Sequence, residues 1–226
     1  MDLELLKELC DTPGVPGLED EIAKIVQNNI LNLCQSHEID AMGNNIFTVN
    51  KKIEKAPTIL VDAHMDEVGF LVSNIESNGM IRVIALGGID PKLFYGQRLT
   101  IWGKKTIEAT VAAIPPHISN KSDTITQVED CIIDTGLKDK DVLKFINIGD
   151  QITFSTNCEI GYDRVLSKAL DDRVGLFVLI EAVKVLSKKK LNCNFIASAS
   201  VQEEMGLRGA RIINSRVNPD FSIALE

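Results

Sequence analysis

The chain has 226 residues, 45% of them apolar, with 24 Lys and Arg against 32 Asp and Glu for a formal charge of −8. This is the composition of an acidic globular protein, which excludes disordered and fibrous classes; at ~150 residues per domain it allows one large domain or two small ones. No basic block is longer than Lys188, Lys189 and Lys190, so there is no electrostatic footprint for a nucleic-acid backbone or an anionic membrane surface. The N-terminus MDLELLKELC has neither a basic leader nor an apolar core, and the longest apolar stretch, Val174 to Leu186, is broken by Glu181 and Lys184. A cytoplasmic location is expected. Cys10, Cys34, Cys131, Cys158 and Cys193 lie far apart without a CxxC pair, a pattern of isolated thiols rather than of a disulfide framework or a thiolate zinc site.

Apolar residues at helical spacing predict one helix over 2–10 (Leu3, Leu5, Leu6, Leu9) and another over 18–34 (Ile22, Ile25, Val26, Ile30, Leu33), separated by the turn-forming TPGVPG. A short strand from Ile46 to Val49 follows, then TILVDAH, whose continuous apolar run suits a strand buried on both faces. From about Val68 to Val165 the texture changes to short β-branched segments (IRVIA, RLTIWG, IEATVAAI, CIIDTG, DQITFST) punctuated by Gly, Pro and Asn, with one brief helical pattern at DKDVLKFI. A helix from Asp172 to about Ser187, a strand NFIASASV, a helix near Leu207 to Asn214 and a strand FSIALE then restore the larger alternation. The expected fold class is α/β: a mixed, largely parallel sheet with flanking helices, formed by 1–67 and 166–226 and interrupted by a small β-rich domain over 68–165. No GxGxxG or Walker-type loop follows a strand, so nucleotide binding has no support.

Chemistry-bearing residues collect at the predicted strand ends and strand-to-helix junctions: His64 and Asp66; Asp171 and Asp172; Glu203 and Glu204; and Glu226. A parallel sheet gathers the carboxyl ends of its strands along one edge, so these groups are expected to converge on one crevice. Converging carboxylates with a histidine call for a neutralising cation, and imidazole with carboxylates suits zinc, cobalt or manganese better than calcium. In His64-x-Asp66 the aspartate is placed to accept a hydrogen bond from the second ring nitrogen and fix the tautomer of a metal-ligating His. The adjacent Glu203 and Glu204 point different ways and can divide the labour of general base and metal ligand. Taken singly, each group has an ordinary structural reading as a satisfied His, a helix cap or a solvated Glu pair; four successive strand ends make that the poorer account. His37 is read as a surface residue, and His117 in IPPHIS as a turn or domain-contact residue rather than a ligand.

Read in order, AHMDEVGF (63–70), GQRLTIWG (96–103), the PPH of 115–117, IDTG and GDQITF, KALDDRVG (168–175), QEEMGLRGA (202–210) and IALE (223–226) resemble the co-catalytic metallo-aminopeptidases that include the TET, deblocking and glutamyl aminopeptidases. The resemblance covers essentially the whole chain. It implies an α/β core interrupted by a β-rich, PDZ-like dimerisation domain, with short peptides as substrates and a homodimer that builds larger homo-oligomers. It further implies two divalent metals per active site: His64 and Glu226 would hold one, Glu204 the other, and Asp171 would bridge them. Glu203 would be the general base and Asp66 would orient His64. Between Asp171 and Asp172 the family commonly has a strained peptide bond.

Members of that family continue for roughly a hundred further residues that complete the sheet and add a last metal-ligating His. On this reading one metal is expected to be held more tightly than the other, and a truncated or catalytically silent relative that acts only as an oligomerisation partner is the main alternative. Pro16 and Met205 depart from common family residues without touching the proposed chemistry. Some relatives carry an endoglucanase label, but glycosidase acids need no His64-x-Asp66 support, and one Trp and two Tyr give little aromatic platform for a sugar.

Overall fold

The structure, a computed structural model, describes residues 2–50, 52–112 and 127–226; His117 and the PPH block lie outside the described residues. Two compact units are present, Met1–Glu67 with Asn157–Glu226, and Val68–Thr156. Residues 157–165, grouped by sequence with the insertion, fall in the first unit.

The elements in chain order are helices α1 (Leu3–Asp11) and α2 (Asp20–Ile30), then strands β1 (Ser36–Ile39), β2 (Asn45–Thr48) and β3 (Thr58–His64). The second unit holds β4 (Gly69–Ile75), β5 (Ile81–Leu86), β6 (Arg98–Trp102), β7 (Thr106–Val111), β8 (Ile133–Asp134), α3 (Asp139–Phe145) and β9 (Gln151–Phe154). The chain then returns to the first unit through β10 (Glu159–Ile160), β11 (Val165–Leu166), α4 (Leu170–Leu186), β12 (Asn194–Ser200), α5 (Arg208–Val217) and β13 (Phe221–Ala224).

In the first unit the sheet order is β1-β2-β12-β3-β13. Strands β12 and β13 run parallel to β3, while β2 pairs antiparallel with both β1 and β12. The sheet is therefore mixed, with a parallel half, rather than largely parallel. One face packs Phe47, Ala63, Phe195, Ala197 and Ala199 against apolar residues of α1, α2 and α4; the other sets Ile46, Leu60 and Ile196 against Ile213 and Val217 of α5. The apolar stripes of α1 and α2 at helical spacing are what this first face buries. The Asp2 carboxylate caps α1 by accepting from the Leu5 N–H at 3.2 Å. The run TILVDAH is less enclosed than expected: Leu60, Ala63 and His64 are buried, but Ile59, Val61 and Asp62 are half-buried. Strand β1 was not foreseen. It carries His37, which is half-buried, stacked on Phe47 at 4.5 Å, with Nε2 2.8 Å from Asn45 Oδ1.

The second unit is a closed barrel in the order β4-β5-β8-β7-β6-β9. Its interior is filled by Phe70, Val72, Phe94, Leu99, Ile101 and Ile152 among others, the side-chain filling expected of a small barrel.

Candidate functional site

Strands β3 and β12 pair in parallel with Ser200 opposite His64, so both leave the sheet at the same level. Beyond His64 the chain gives Met65 to Glu67, and beyond Ser200 it gives Val201 to Glu204. Strand β13 pairs with β3 with Ala224 opposite Asp62; continued by two residues, that register brings Glu226 level with His64. The segment entering α4 supplies Asp171. All four predicted clusters thus reach the carboxyl edge of the parallel strands, where α/β sheets place ligands.

The His64 ring is 4% exposed. Its Nδ1 lies 3.0 Å from the backbone carbonyl oxygen of Asp66, and its Nε2 lies 3.1 Å from Asp171 Oδ1 and 3.9 Å from Glu203 Oε2. The carboxylate of Asp66 is 3.6 Å from Nδ1; its short bonds are to the backbone N–H groups of Glu203 at 2.9 Å and Glu204 at 3.0 Å. Asp66 therefore orients the ring through its carbonyl, and its side chain holds the two glutamates. Asp172 faces away from the ring, accepting from the N–H of His64 at 3.2 Å and of Gly175 at 2.8 Å. The Asp171–Asp172 peptide is cis. Asp171 itself has a side chain 78% exposed, which leaves its carboxylate open on the solvent side.

Burial opposes a charge on His64, but Asp66, Asp172 and Glu203 outweigh it and push its pKa up to about 9. Burial likewise raises Asp172 to about 7, against the pull of His64 and the Gly175 N–H. Glu203 and Glu204 are both raised, first by burial and with opposition from His64; Glu226 is among the charges that raise Glu203. An acid raised in this way is moved toward the range in which it can accept and return a proton.

The donor types fit a divalent cation. Nδ1 of His64 is anchored, which leaves Nε2 facing Asp171 and Glu203, and the surplus of carboxylates over cations is the imbalance that a metal removes. Among the described residues no three His, Cys, Asp or Glu side chains form a complete cage. Those brought closest are His64, Asp171 and Glu203; Glu204 and Glu226 share the edge without a contact to His64 of the same kind.

Four charged residues about the site escaped the sequence reading. Glu19, 5% exposed, accepts on Oε1 from the N–H of Gly17 at 2.7 Å and of Gln202 at 3.1 Å. Glu67, Lys168 and Arg173 form a buried charge cluster. The available signal was their place inside AHMDEVGF and KALDDRVG, where a charge sits beside residues destined for the interior.

A mixed α/β sheet that carries an imidazole and several carboxylates at the ends of its parallel strands defines a hydrolase-like architecture with a metal-compatible site. Residues 43–226 match the M42 glutamyl aminopeptidase family, and the chain belongs to that family. A glutamyl aminopeptidase of Lactococcus lactis subsp. cremoris is 34% identical over 98% of this chain. The chain spans 65% of the length of that relative, just under two thirds. Among solved structures, an aminopeptidase from the archaeon Desulfurococcus kamchatkensis superposes with a TM-score of 0.89 at 31% identity, over 98% of this chain and 61% of that one. The TET1 peptidase of Pyrococcus horikoshii, which can assemble into a tetrahedron or a large octahedral shell, gives 0.87 at 31% identity, over 99% and 68%.

Proposed function

We propose that this chain is a metal-dependent aminopeptidase that removes N-terminal residues from short peptides. The observation that carries the reading is the approach of Glu203 to the same His64 nitrogen that faces Asp171, in a member of an aminopeptidase family. His64, Asp171 and Glu226 would hold one divalent metal, zinc or cobalt before manganese; Asp171 with Glu204 would hold a second. Bound there, the cations would polarise the scissile carbonyl and raise the acidity of water.

The protein's own groups carry the proton. Glu203, with a raised pKa, takes it from the attacking water and returns it to the nitrogen of the leaving amine. Asp66 keeps the Glu203 and Glu204 backbone at a fixed distance from His64. His64, anchored at Nδ1, presents Nε2 in one orientation. The PDZ-like role implied by resemblance, a dimer contact made by the Val68–Thr156 unit, belongs to the same proposal, and the shells formed by the Pyrococcus peptidase support a homo-oligomer.

The test loads the 226-residue chain with Zn(II) or Co(II) and offers glutamyl, lysyl and leucyl p-nitroanilides, together with one peptide whose N-terminus is either free or acetylated. Release from the free N-terminus alone, abolished by a chelator, is expected. Internal cleavage of the acetylated peptide, or chelator-resistant hydrolysis of a β-glucan, overturns the reading. A metal-loaded dimer with no turnover favours the silent oligomerisation partner.

A further inference from the structure

Glu67 lies three residues after His64, and Lys168 lies three residues before Asp171. Their side chains meet in the interior: Lys168 Nζ stands 2.7 Å and 2.8 Å from the two carboxylate oxygens of Glu67, with 7% and 2% of the side chains exposed. Behind them Arg173, fully buried, brings Nη2 within 3.6 Å of Glu67 Oε1. Its Nη1 donates to the carbonyls of Leu9 and Thr12, the latter at 2.8 Å, at the end of α1. The Glu67 N–H donates to the Gly14 carbonyl at 2.9 Å. Both segments that carry the site are thus tied to each other and to the turn after α1.

A buried ion pair is weak support for stability, because desolvation offsets much of the Coulomb attraction and an apolar pair of similar volume often serves as well. It does fix direction, since one ammonium shared by both oxygens of a carboxylate tolerates little sliding. Each tether from the pair to its site residue is three residues, at most roughly 10 Å of extended chain. The cluster holds one acid and two bases, so losing Lys168 leaves Glu67 and Arg173 balanced. That balance allows the pair to be opened without stranding a charge.

We propose that Glu67 and Lys168 are positioning residues: their ion pair sets Asp171 Oδ1 against His64 Nε2, and thereby the metal-binding geometry. The metal half of this inference rests on the proposed function; the His64–Asp171 half does not.

The test compares the wild-type chain with Lys168→Met and with Lys168→Arg, which keeps a cation for Glu67. In metal-free protein the ring ¹⁵N signals of His64, assigned with His64→Gln, are read beside those of His37 as an internal reference. Lys168→Met is expected to fold, by circular dichroism, while its His64 signals move and those of His37 do not. Its Co(II) affinity should fall about tenfold or more, the scale at which residues supporting metal ligands act, with a changed visible spectrum. Lys168→Arg should lie closer to wild type in each readout. A folded Lys168→Met protein with unmoved His64 signals overturns the proposal. So does a Lys168→Met protein that fails to fold, since the pair would then serve the fold rather than the site. If the wild-type chain binds no Co(II), the metal reading falls, and the His64 signals still decide the role of the pair.

Discussion

Oδ1 of Asp66 accepts the backbone N–H of Glu203 at 2.9 Å. Oδ2 of the same buried carboxylate accepts from Glu204 at 3.0 Å, so a side chain two residues beyond His64 fixes the start of the loop that carries both glutamates. Only a group with two acceptor oxygens and no donor satisfies both N–H groups. Asp66→Asn would turn an NH2 toward one of them, leaving a buried donor facing a donor. We expect about 1–3 kcal/mol of lost stability in metal-free protein, measured by urea unfolding, and displacement of Glu203 from His64. An unchanged midpoint would show that the loop is held by other contacts.

Glu203→Gln separates proton transfer from metal binding. The amide is nearly isosteric but takes no proton from water, so peptidase turnover should drop by at least ~10²-fold, the lower end of what a general base contributes. Co(II) content should stay near that of the wild type, whereas His64→Ala should lose both. Retained release of p-nitroaniline by Glu203→Gln would remove Glu203 from its assigned role.

How far the sequence discloses this arrangement depends on the range of the interactions. Helical spacing at Leu5, Leu6 and Leu9 and at Ile22, Ile25 and Val26 was legible because each stripe meets the core as one face. Strand β1, SHEI, has no such stripe: on the sheet edge three of its four residues are exposed. The antiparallel pairing of β2 with β12 joins residues about 150 apart in sequence, and the barrel order β4-β5-β8-β7-β6-β9 is equally non-local; local texture announced strands there without their partners. In the site, the gathering of His64, Asp171 and Glu203 followed from strand ends alone. The hydrogen bonds of Asp66 did not, because the turn beyond β3 carries its carboxylate past the ring toward the Glu203 backbone. The Glu67–Lys168–Arg173 cluster was hidden for a further reason: charged residues are ordinarily read as solvated unless a partner is known.

Gly175 marks where α4 meets the site. A Cβ built there would collide with the carboxylate of Asp172, which already accepts the Gly175 N–H at 2.8 Å. Asp172 also accepts the His64 N–H and has little freedom to retreat. Gly175→Ala should therefore destabilise the chain by about 1–3 kcal/mol, the usual range for overpacking, although alanine is the better helix former. A thermal midpoint equal to or above that of the wild type would show that Asp172 can give way.

Glu19 provides a test of buried charge that avoids the metal-binding groups. Burial raises its pKa, only partly offset by the N–H donors of Gly17 and Gln202, and Asp66 adds to the rise; Arg173 is the nearby cation that feels its charge. With a folded pKa above the unfolded one, the native state binds more protons across the interval between them, so stability from this group is present below the unfolded value and is lost as pH rises through the folded one. Glu19→Gln keeps the Oε1 acceptor and removes the titration, and any fixed cost of the amide does not vary with pH. The stability of Glu19→Gln relative to wild type, from urea unfolding between pH 4 and about 7, should therefore increase with pH and level off once Glu19 is ionised in both states. The shared titrations of His64, Asp62 and Asp172 largely cancel in that difference, since they are common to both proteins. A difference that is flat across the interval, or that shrinks as pH rises, would mean that the Gly17 and Gln202 N–H groups stabilise the carboxylate more than burial penalises it.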